Sequence, residues 1–292
     1  LSKQRLLNLI RFFILYDSGI KKITRYQQFF GVENTMRRIH GEDGCNSRGG
    51  VIWHTQGSGK SYSMLFLAQK IRRKFEGSPT FVVLTDRDEL NKQISDTFEA
   101  CGCLSGKARQ YIPSSGAKLY EMLRGNPSFI FTLIQKFNDE NAAPITPDHD
   151  IIILSDEAHR SQNGIFADNM CRLLPTASRI GFTGTPLLAN DNITERTFGG
   201  YVSIYDFQRA VDDGATVPLY YENRGQKFND INDPEITERI AEALEAAELD
   251  PNQQEKLEKE FAKEIHLLTA EPRFDAYARD FVEHYSDHWT CG

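Results

Sequence analysis

Short apolar runs alternate with amphipathic stretches through the middle of the 292-residue chain. Five of these runs are almost continuously apolar, which is typical of parallel strands buried on both faces; they lie at 51–54, 81–85, 129–133, 151–155 and 179–183. Helical periodicity occupies several of the intervals, most clearly 60–75 and 89–98. Strands alternating with helices predict an α/β fold in which an open, mostly parallel sheet carries helices on both faces. Ligands of such sheets bind at the carboxyl ends of the strands.

The N-terminal 40 residues have a pattern of their own. Apolar residues recur at helical spacing from residue 6 to residue 14, Gly19 interrupts them, and a second helix is predicted over about 27–40. This segment holds eight Lys and Arg residues against two acids, Asp17 and Glu33. A nucleic-acid partner would therefore meet a local basic surface here, although a solvated helix face explains the same charges.

The C-terminal part is acidic and largely helical in pattern. Val217–Tyr221 is a candidate strand, Asp233–Glu264 is rich in helix-favouring residues, and Phe274–Tyr285 is a candidate helix. From Tyr221 onward the chain carries 18 Asp and Glu against 8 Lys and Arg. We predict three parts along the chain, namely a basic N-terminal segment, an α/β domain and an acidic helical connector, at 1–40, 41–222 and 223–292 respectively.

Composition narrows the class of protein. With 40% hydrophobic and 26% charged residues the chain is an ordinary globular one, and it lacks the run of about 18 apolar residues that a membrane span requires. Its five cysteines form no CxxC pair, so a zinc site or disulfide framework is not expected. The start at Leu1 shows no signal-peptide pattern, and we expect a piece of a longer cytoplasmic protein.

The strongest chemical signal follows the first predicted strand. Residues 51–61 read Val-Ile-Trp-His-Thr-Gln-Gly-Ser-Gly-Lys-Ser, an apolar strand that enters a glycine-rich turn and then a helix. Such a turn curls its backbone N–H groups around phosphates, while Lys60 reaches the β- and γ-phosphates and Ser61 binds Mg²⁺. His54 replaces the first glycine of the strict pattern, which leaves a chance glycine-rich turn as the alternative. The predicted nucleotide-binding residues are Gly57, Ser58, Gly59, Lys60 and Ser61.

A carboxylate pair ends the fourth predicted strand, at Asp156 and Glu157. In P-loop ATPases the first carboxylate holds Mg²⁺, and the second positions the attacking water. Acidic pairs after strands also arise by chance. The combination with the glycine-rich turn favours one shared nucleotide site, with Lys60, Asp156 and Glu157 as catalytic residues and with Ser61 and Asp156 as metal ligands.

A third signal is Thr183-Gly-Thr185-Pro, which places two hydroxyl groups in a tight turn after the fifth predicted strand. Alone it is most simply a turn. After the Asp-Glu-Ala-His sequence it becomes a candidate for coupling the γ-phosphate to DNA or domain movement. His159 either contacts this turn or is a packed polar residue.

Together these motifs resemble motifs I, II and III of superfamily 2 helicases and translocases. The longer sequence segments around these motifs resemble the restriction (R) subunit of type I restriction–modification enzymes more than other members of this superfamily. This resemblance extends over about 24–221, and it rests on the segments 52–61, 83–90, 156–162 and 181–187.

The resemblance implies a RecA-like fold and specific roles for further residues. Gln27 is the best match for the amide that recognises adenine, with a surface glutamine as the alternative reading. Thr85 and Arg87 fall where relatives meet the DNA backbone, although Arg87 could equally form an internal salt bridge. Thr132 and Gln135 are weaker candidates for the same DNA track.

The resemblance also implies an activity and partners. It implies ATP and Mg²⁺ as cofactors, with double-stranded DNA and the methylation (M) and specificity (S) subunits as partners. The R subunit translocates DNA with ATP before the parent protein cleaves it. The family's nuclease residues and the Arg-rich motif of its second RecA-like domain have no match here, so slow hydrolysis by the chain alone is expected. The alternatives are another superfamily 2 enzyme, such as a type III restriction subunit or an RNA helicase, and a degenerate nucleotide-binding module that only scaffolds partners.

Overall fold

The protein is described here from a computed structural model, which covers residues 2–42, 49–156, 165–185, 197–219 and 271–289. The chain divides into two compact units, Leu1–Leu219 and Tyr220–Gly292. The N-terminal segment packs within the first unit together with the α/β domain. The boundaries of the three predicted parts, after residue 40 and after residue 222, stay predictions.

The first unit is built on a six-stranded sheet in which every pairing is parallel. Its strands are β3 (Gly50–His54), β4 (Thr80–Thr85), β5 (Phe129–Leu133), β6 (Ile151–Ser155), β7 (Ser178–Thr183) and β8 (Tyr201–Tyr205). They lie in the order β5-β4-β6-β7-β3-β8. Because all six run the same way, every strand ends at one edge of the sheet, and the predicted motifs follow from that edge.

Helices cover both faces of this sheet, which confirms the predicted α/β class. Strand residues alternate between the two cores: Phe81 and Val83 pack on one face, Val82 and Leu84 on the other. The first face is covered by α1 (Lys3–Phe12), α2 (Tyr26–Ile39), α3 (Lys60–Lys74) and α4 (Asp88–Ala100), and the second by α5 (Gly116–Arg124) and α6 (Ile165–Leu173). Burial on both faces is the reason that these strands have nearly continuous apolar sequences.

A hairpin between α1 and α2 was not predicted. Strands β1 (Ile14–Asp17) and β2 (Ile20–Ile23) pair antiparallel across Ser18 and Gly19, both of which have positive φ. Two consecutive residues of positive φ form the tight turn that suits a two-residue hairpin. The helical pattern of 6–14 therefore ends early: α1 stops at Phe12, and Ile14 begins a strand.

The sixth strand also differs from the prediction. Residues 217–219 are not in a strand, and Val217 and Leu219 are 73% and 76% exposed; positions 220 and 221 lie outside the described residues. The strand beside β3 is instead Tyr201–Tyr205, which α7 (Phe207–Asp212) follows. Its neighbour on one side is β3, so it is an edge strand with a mixed sequence, Tyr-Val-Ser-Ile-Tyr, that lacks the apolar run of the central strands.

The second unit is described through one helix, α8 (Glu271–Trp289), which contains the predicted 274–285. The predicted helical segment at 233–264 lies outside the described residues. Over the part of the chain that the structure describes, no helix combines the length and the apolar character needed to cross a membrane.

Candidate nucleotide-binding site

The glycine-rich turn has the backbone shape that phosphate binding needs. Gly57 and Gly59 have φ of 75° and 84°, in the left-handed region that favours glycine, and α3 begins directly afterwards at Lys60. A Cβ built on Gly59 would lie 2.6 Å from Nε2 of Gln28, so the Gln28 amide would have to leave its position for a side chain to fit there. Ser58 is 3% exposed, and its Oγ has no hydrogen-bond partner among the described residues. A buried, unpartnered hydroxyl at a helix N-terminus suits an anionic ligand.

Gly184, in the turn after β7, lies against this loop. A Cβ built on Gly184 would be 3.2 Å from Nζ of Lys60 and 3.2 Å from Cγ of Gln56. Lys60 Nζ also donates to the backbone oxygen of His54 at 3.5 Å. Two motifs that are more than 120 residues apart in sequence therefore meet at the lysine.

The acidic motif follows β6, the strand that pairs with β7. Ser155 pairs in register with Gly181 on one side and with Leu84 on the other. Asp156 is 9% exposed, and its backbone N–H donates to Leu84 O at 2.8 Å, which fixes the backbone of this residue directly after the end of β6. Glu157 and His159, the other two predicted residues of this motif, lie outside the described residues.

Thr183 shapes its own turn. It is fully buried; its Oγ1 donates to Thr185 O at 3.1 Å and accepts from the Thr185 backbone N–H at 3.2 Å. Thr185 is exposed. These two hydrogen bonds show that residues 183–185 form a turn, as the simplest interpretation of the motif predicts. The coupling role of the motif stays a prediction.

Gln28 contacts the glycine-rich loop. Its Nε2 donates to Gly59 O at 2.8 Å, and its Oε1 accepts from the Arg25 backbone N–H at 2.8 Å. Gln27 is 5% exposed, and its Nε2 has no partner in the described part of the chain. The adenine-recognition role of Gln27 stays a prediction, and Gln28, the next residue of α2, is the one whose side chain bonds to the loop.

The predicted DNA-contact residues separate into buried and exposed groups. Thr85 is fully buried, and its hydroxyl donates to Arg87 O at 3.3 Å, which shapes the loop; its role in contacting DNA stays a prediction. Arg87 is 59% exposed in its side chain and pairs with Asp86 at 3.6 Å. Thr132 is buried, whereas Gln135 is exposed and donates to Asp86 O at 3.1 Å.

His54 is the least expected residue of the site. It is fully buried, and its Nε2 lies 2.9 Å from Ser203 Oγ. Burial, followed by the nearby Lys60 charge, lowers the pKa of His54 to about 4, so the ring is neutral at neutral pH.

This shift predicts a pH-dependent stability. The unfolded chain takes up a proton on His54 near pH 6.5, whereas the folded chain does so near pH 4, so the stability is complete above pH 6.5 and is lost as the pH falls towards 4. Between pH 7 and pH 5 we expect the wild type to lose about 2 kcal/mol more unfolding free energy than His54→Gln. Urea denaturation of both proteins at the two pH values measures this difference, in which the other titrating groups cancel. Equal losses would show that His54 does not titrate in this way.

A polar cluster beside the loop also escaped prediction. The hydroxyls of Tyr26 and Tyr205 both donate to Oδ2 of Asp213, at 2.5 and 2.9 Å. The two hydroxyl hydrogen bonds lower the pKa of Asp213. The pKa of Tyr205 rises to about 12, first through burial and then through the carboxylate. The cluster joins the start of α2 to the end of β8 and is invisible in sequence, because its residues are distant from one another along the chain.

The parallel sheet, the left-handed glycines and the convergence of three motifs at one edge define a P-loop nucleotide-binding domain of RecA-like fold. The chain belongs to the SWI2/SNF2 ATPase family, which it matches over residues 27–255.

Curated relatives confirm the resemblance to R subunits. The HindI type I restriction enzyme endonuclease subunit of Haemophilus influenzae is 38% identical over 308 residues, covering 96% of this chain and 28% of that protein. The MjaIXP subunit of Methanocaldococcus jannaschii is 35% identical over 301 residues, with 97% and 28% covered. The chain thus spans about 28% of the length of these relatives. Among solved structures, the UvsW helicase of bacteriophage T4 aligns with a TM-score of 0.49 and 16% identity, over 69% of this chain and 67% of that one.

Proposed function

We propose that this chain is the ATP-binding motor domain of a type I restriction enzyme R subunit, which couples ATP hydrolysis to translocation along double-stranded DNA before the parent protein cleaves it. The observation that carries the proposal is the position of Lys60, Asp156 and Gly184 beyond the carboxyl ends of three adjacent strands, β3, β6 and β7, with Gly184 against the Lys60 ammonium. The two curated relatives named above, both type I restriction enzyme endonuclease subunits, support the choice among ATPase motors.

Each residue has a role in this proposal. The backbone N–H groups around Gly57 and Gly59 hold the phosphates, and Lys60 neutralises their charge. Ser61 and Asp156 would hold Mg²⁺, which neutralises the charge that develops on the phosphates during transfer. Glu157 orients the attacking water and takes its proton.

The segment 24–28 would recognise the adenine base. Gln28 is the better candidate for the reading amide, because its contact with Gly59 places it beside the loop. Gln27 remains the alternative, since its buried Nε2 has a hydrogen bond to offer.

DNA would meet Arg87 and the basic N-terminal segment. Both acids of that segment are already engaged: Asp17 accepts from Tyr62 at 2.5 Å, and Glu33 pairs with Lys70. The segment is positive because its eight Lys and Arg residues outnumber these two acids. Six of the bases are exposed, namely Lys3, Arg5, Arg11, Lys21, Arg25 and Arg37. The M and S subunits would supply recognition of the DNA sequence, as the family resemblance implies.

ATP hydrolysis by the full-length protein that carries this chain tests the proposal. It is measured with and without the M and S subunits, on unmethylated duplex, methylated duplex and RNA. We expect turnover that requires the partner subunits and unmethylated duplex. Turnover on any DNA without partners, or on RNA, would leave the ATP site in place and contradict the assignment to restriction.

A further inference from the structure

The ring of His54 connects the start of the phosphate-binding loop to β8, the edge strand beside β3. Its Nε2 lies 2.9 Å from Oγ of Ser203 in the middle of β8. The ring is also edge-on to Tyr205, with centroids 5.9 Å apart. Because His54 is the last residue of β3, these side-chain contacts act at the point where the loop begins.

A glycine in α2 makes room for this ring. A Cβ built on Gly31 would lie 3.2 Å from Cε1 of His54 and 3.4 Å from Oγ of Ser203. Glycine inside a helix is unfavourable relative to alanine, so its presence here needs a reason. The close approach of the His54 ring supplies one. Three elements, α2, β3 and β8, therefore converge on one buried imidazole.

The backbone of the same residue contacts the functional lysine. Lys60 Nζ donates to His54 O at 3.5 Å. On the other side, β8 is held at its end by the hydrogen bonds of Tyr205 and Tyr26 to Asp213. His54 thus contacts Lys60 through its backbone oxygen and the edge strand β8 through its ring, and β8 is anchored by the Asp213 cluster.

We propose that His54 is a positioning residue for the nucleotide: through its hydrogen bond to Ser203 it holds the phosphate-binding loop in the shape that receives phosphates. The proposal rests on the nucleotide site of the proposed function. When only a fraction of the molecules has the loop in the binding-competent shape, the apparent affinity is the intrinsic affinity multiplied by that fraction. Loss of one neutral hydrogen bond is then expected to weaken binding by about threefold to tenfold.

Two variants of Ser203 isolate the hydrogen bond. Ser203→Thr keeps the hydroxyl and Ser203→Val removes it, while the two side chains have nearly the same shape and both suit a strand. The Kd for Mg-ATP is measured by calorimetry on the 292-residue chain, and urea unfolding is measured in parallel. We expect Ser203→Thr to bind within about twofold of the wild type, and Ser203→Val to bind about threefold to tenfold more weakly.

A third variant tests the same contact from α2. Gly31→Ala favours the helix but presses its Cβ against the ring of His54. We expect nucleotide affinity to fall although the helix itself is favoured, a combination that a purely structural role of Gly31 does not produce.

The outcomes separate this inference from the proposed function. Equal Kd values for Ser203→Thr and Ser203→Val, with only the unfolding free energy changed, would overturn the positioning role and leave the nucleotide site intact. Absence of Mg-ATP binding by the wild-type chain would overturn the proposed function, and this inference with it.

Discussion

Lys60→Ala is expected to weaken Mg-ATP binding by about a hundredfold, close to complete loss at ordinary nucleotide concentrations. Lys60 is the first residue of α3, next to the left-handed Gly59, and its Nζ lies beside Gly184. Its ammonium would contact the β- and γ-phosphates through charge-assisted hydrogen bonds. Alanine removes the charge and both contacts while it keeps the helix start.

The matched control is Lys74→Ala, at the opposite end of the same helix, where the side chain is exposed. It removes the same charge far from the loop and should leave the Kd for Mg-ATP unchanged. Calorimetry measures both variants beside the wild type. Unchanged affinity in Lys60→Ala would refute the placement of the nucleotide at this loop.

Glu157→Gln is expected to lower steady-state ATP hydrolysis by about 10²–10⁴-fold while Mg-ATP binding persists. Glu157 follows Asp156 at the end of β6, so both would act on the same nucleotide. Glutamine keeps the size of the side chain but cannot accept a proton from the attacking water. The catalytic step is lost, whereas the phosphate contacts of Lys60 remain.

The measurement needs the full-length protein under the conditions that support turnover, together with Glu140→Gln as control. Glu140 is an exposed residue after β5, and the same substitution there should leave hydrolysis unchanged. Normal hydrolysis by Glu157→Gln would remove Glu157 from the catalytic role. If Glu157→Gln lost Mg-ATP binding as well as hydrolysis, Glu157 would be needed to bind the nucleotide, and its proposed catalytic role would not be supported.

Five of the six strands of the parallel sheet could be predicted, because each is buried on both faces and so reads as an apolar run. Strand β8 was missed for the opposite reason. Ser203 and Ile204 lie on an edge strand that is only partly buried, and its sequence resembles a loop. The hairpin was missed because the apolar residues before Gly19 continue the spacing of α1, so only the backbone turn at Ser18 and Gly19 reveals where the helix has ended.

The candidate site divides in the same way. Lys60 and Asp156 could be predicted because each belongs to a short, local motif whose chemistry fixes its neighbours. Gln28 and Ser203 could not, since they reach the loop from positions 31 and 149 residues away from their partners. Such contacts depend on how α2 and β8 pack beside β3, which no local pattern encodes.

The most direct test of the central claim is a calorimetric titration of ATP into the 292-residue chain, once with Mg²⁺ and once with a chelator in place of the metal. The arrangement of loop, lysine and carboxylate at one sheet edge predicts a single site, with one nucleotide bound per chain and a marked loss of affinity when the metal is chelated. No binding at millimolar nucleotide, or binding that Lys60→Ala leaves intact, would contradict it.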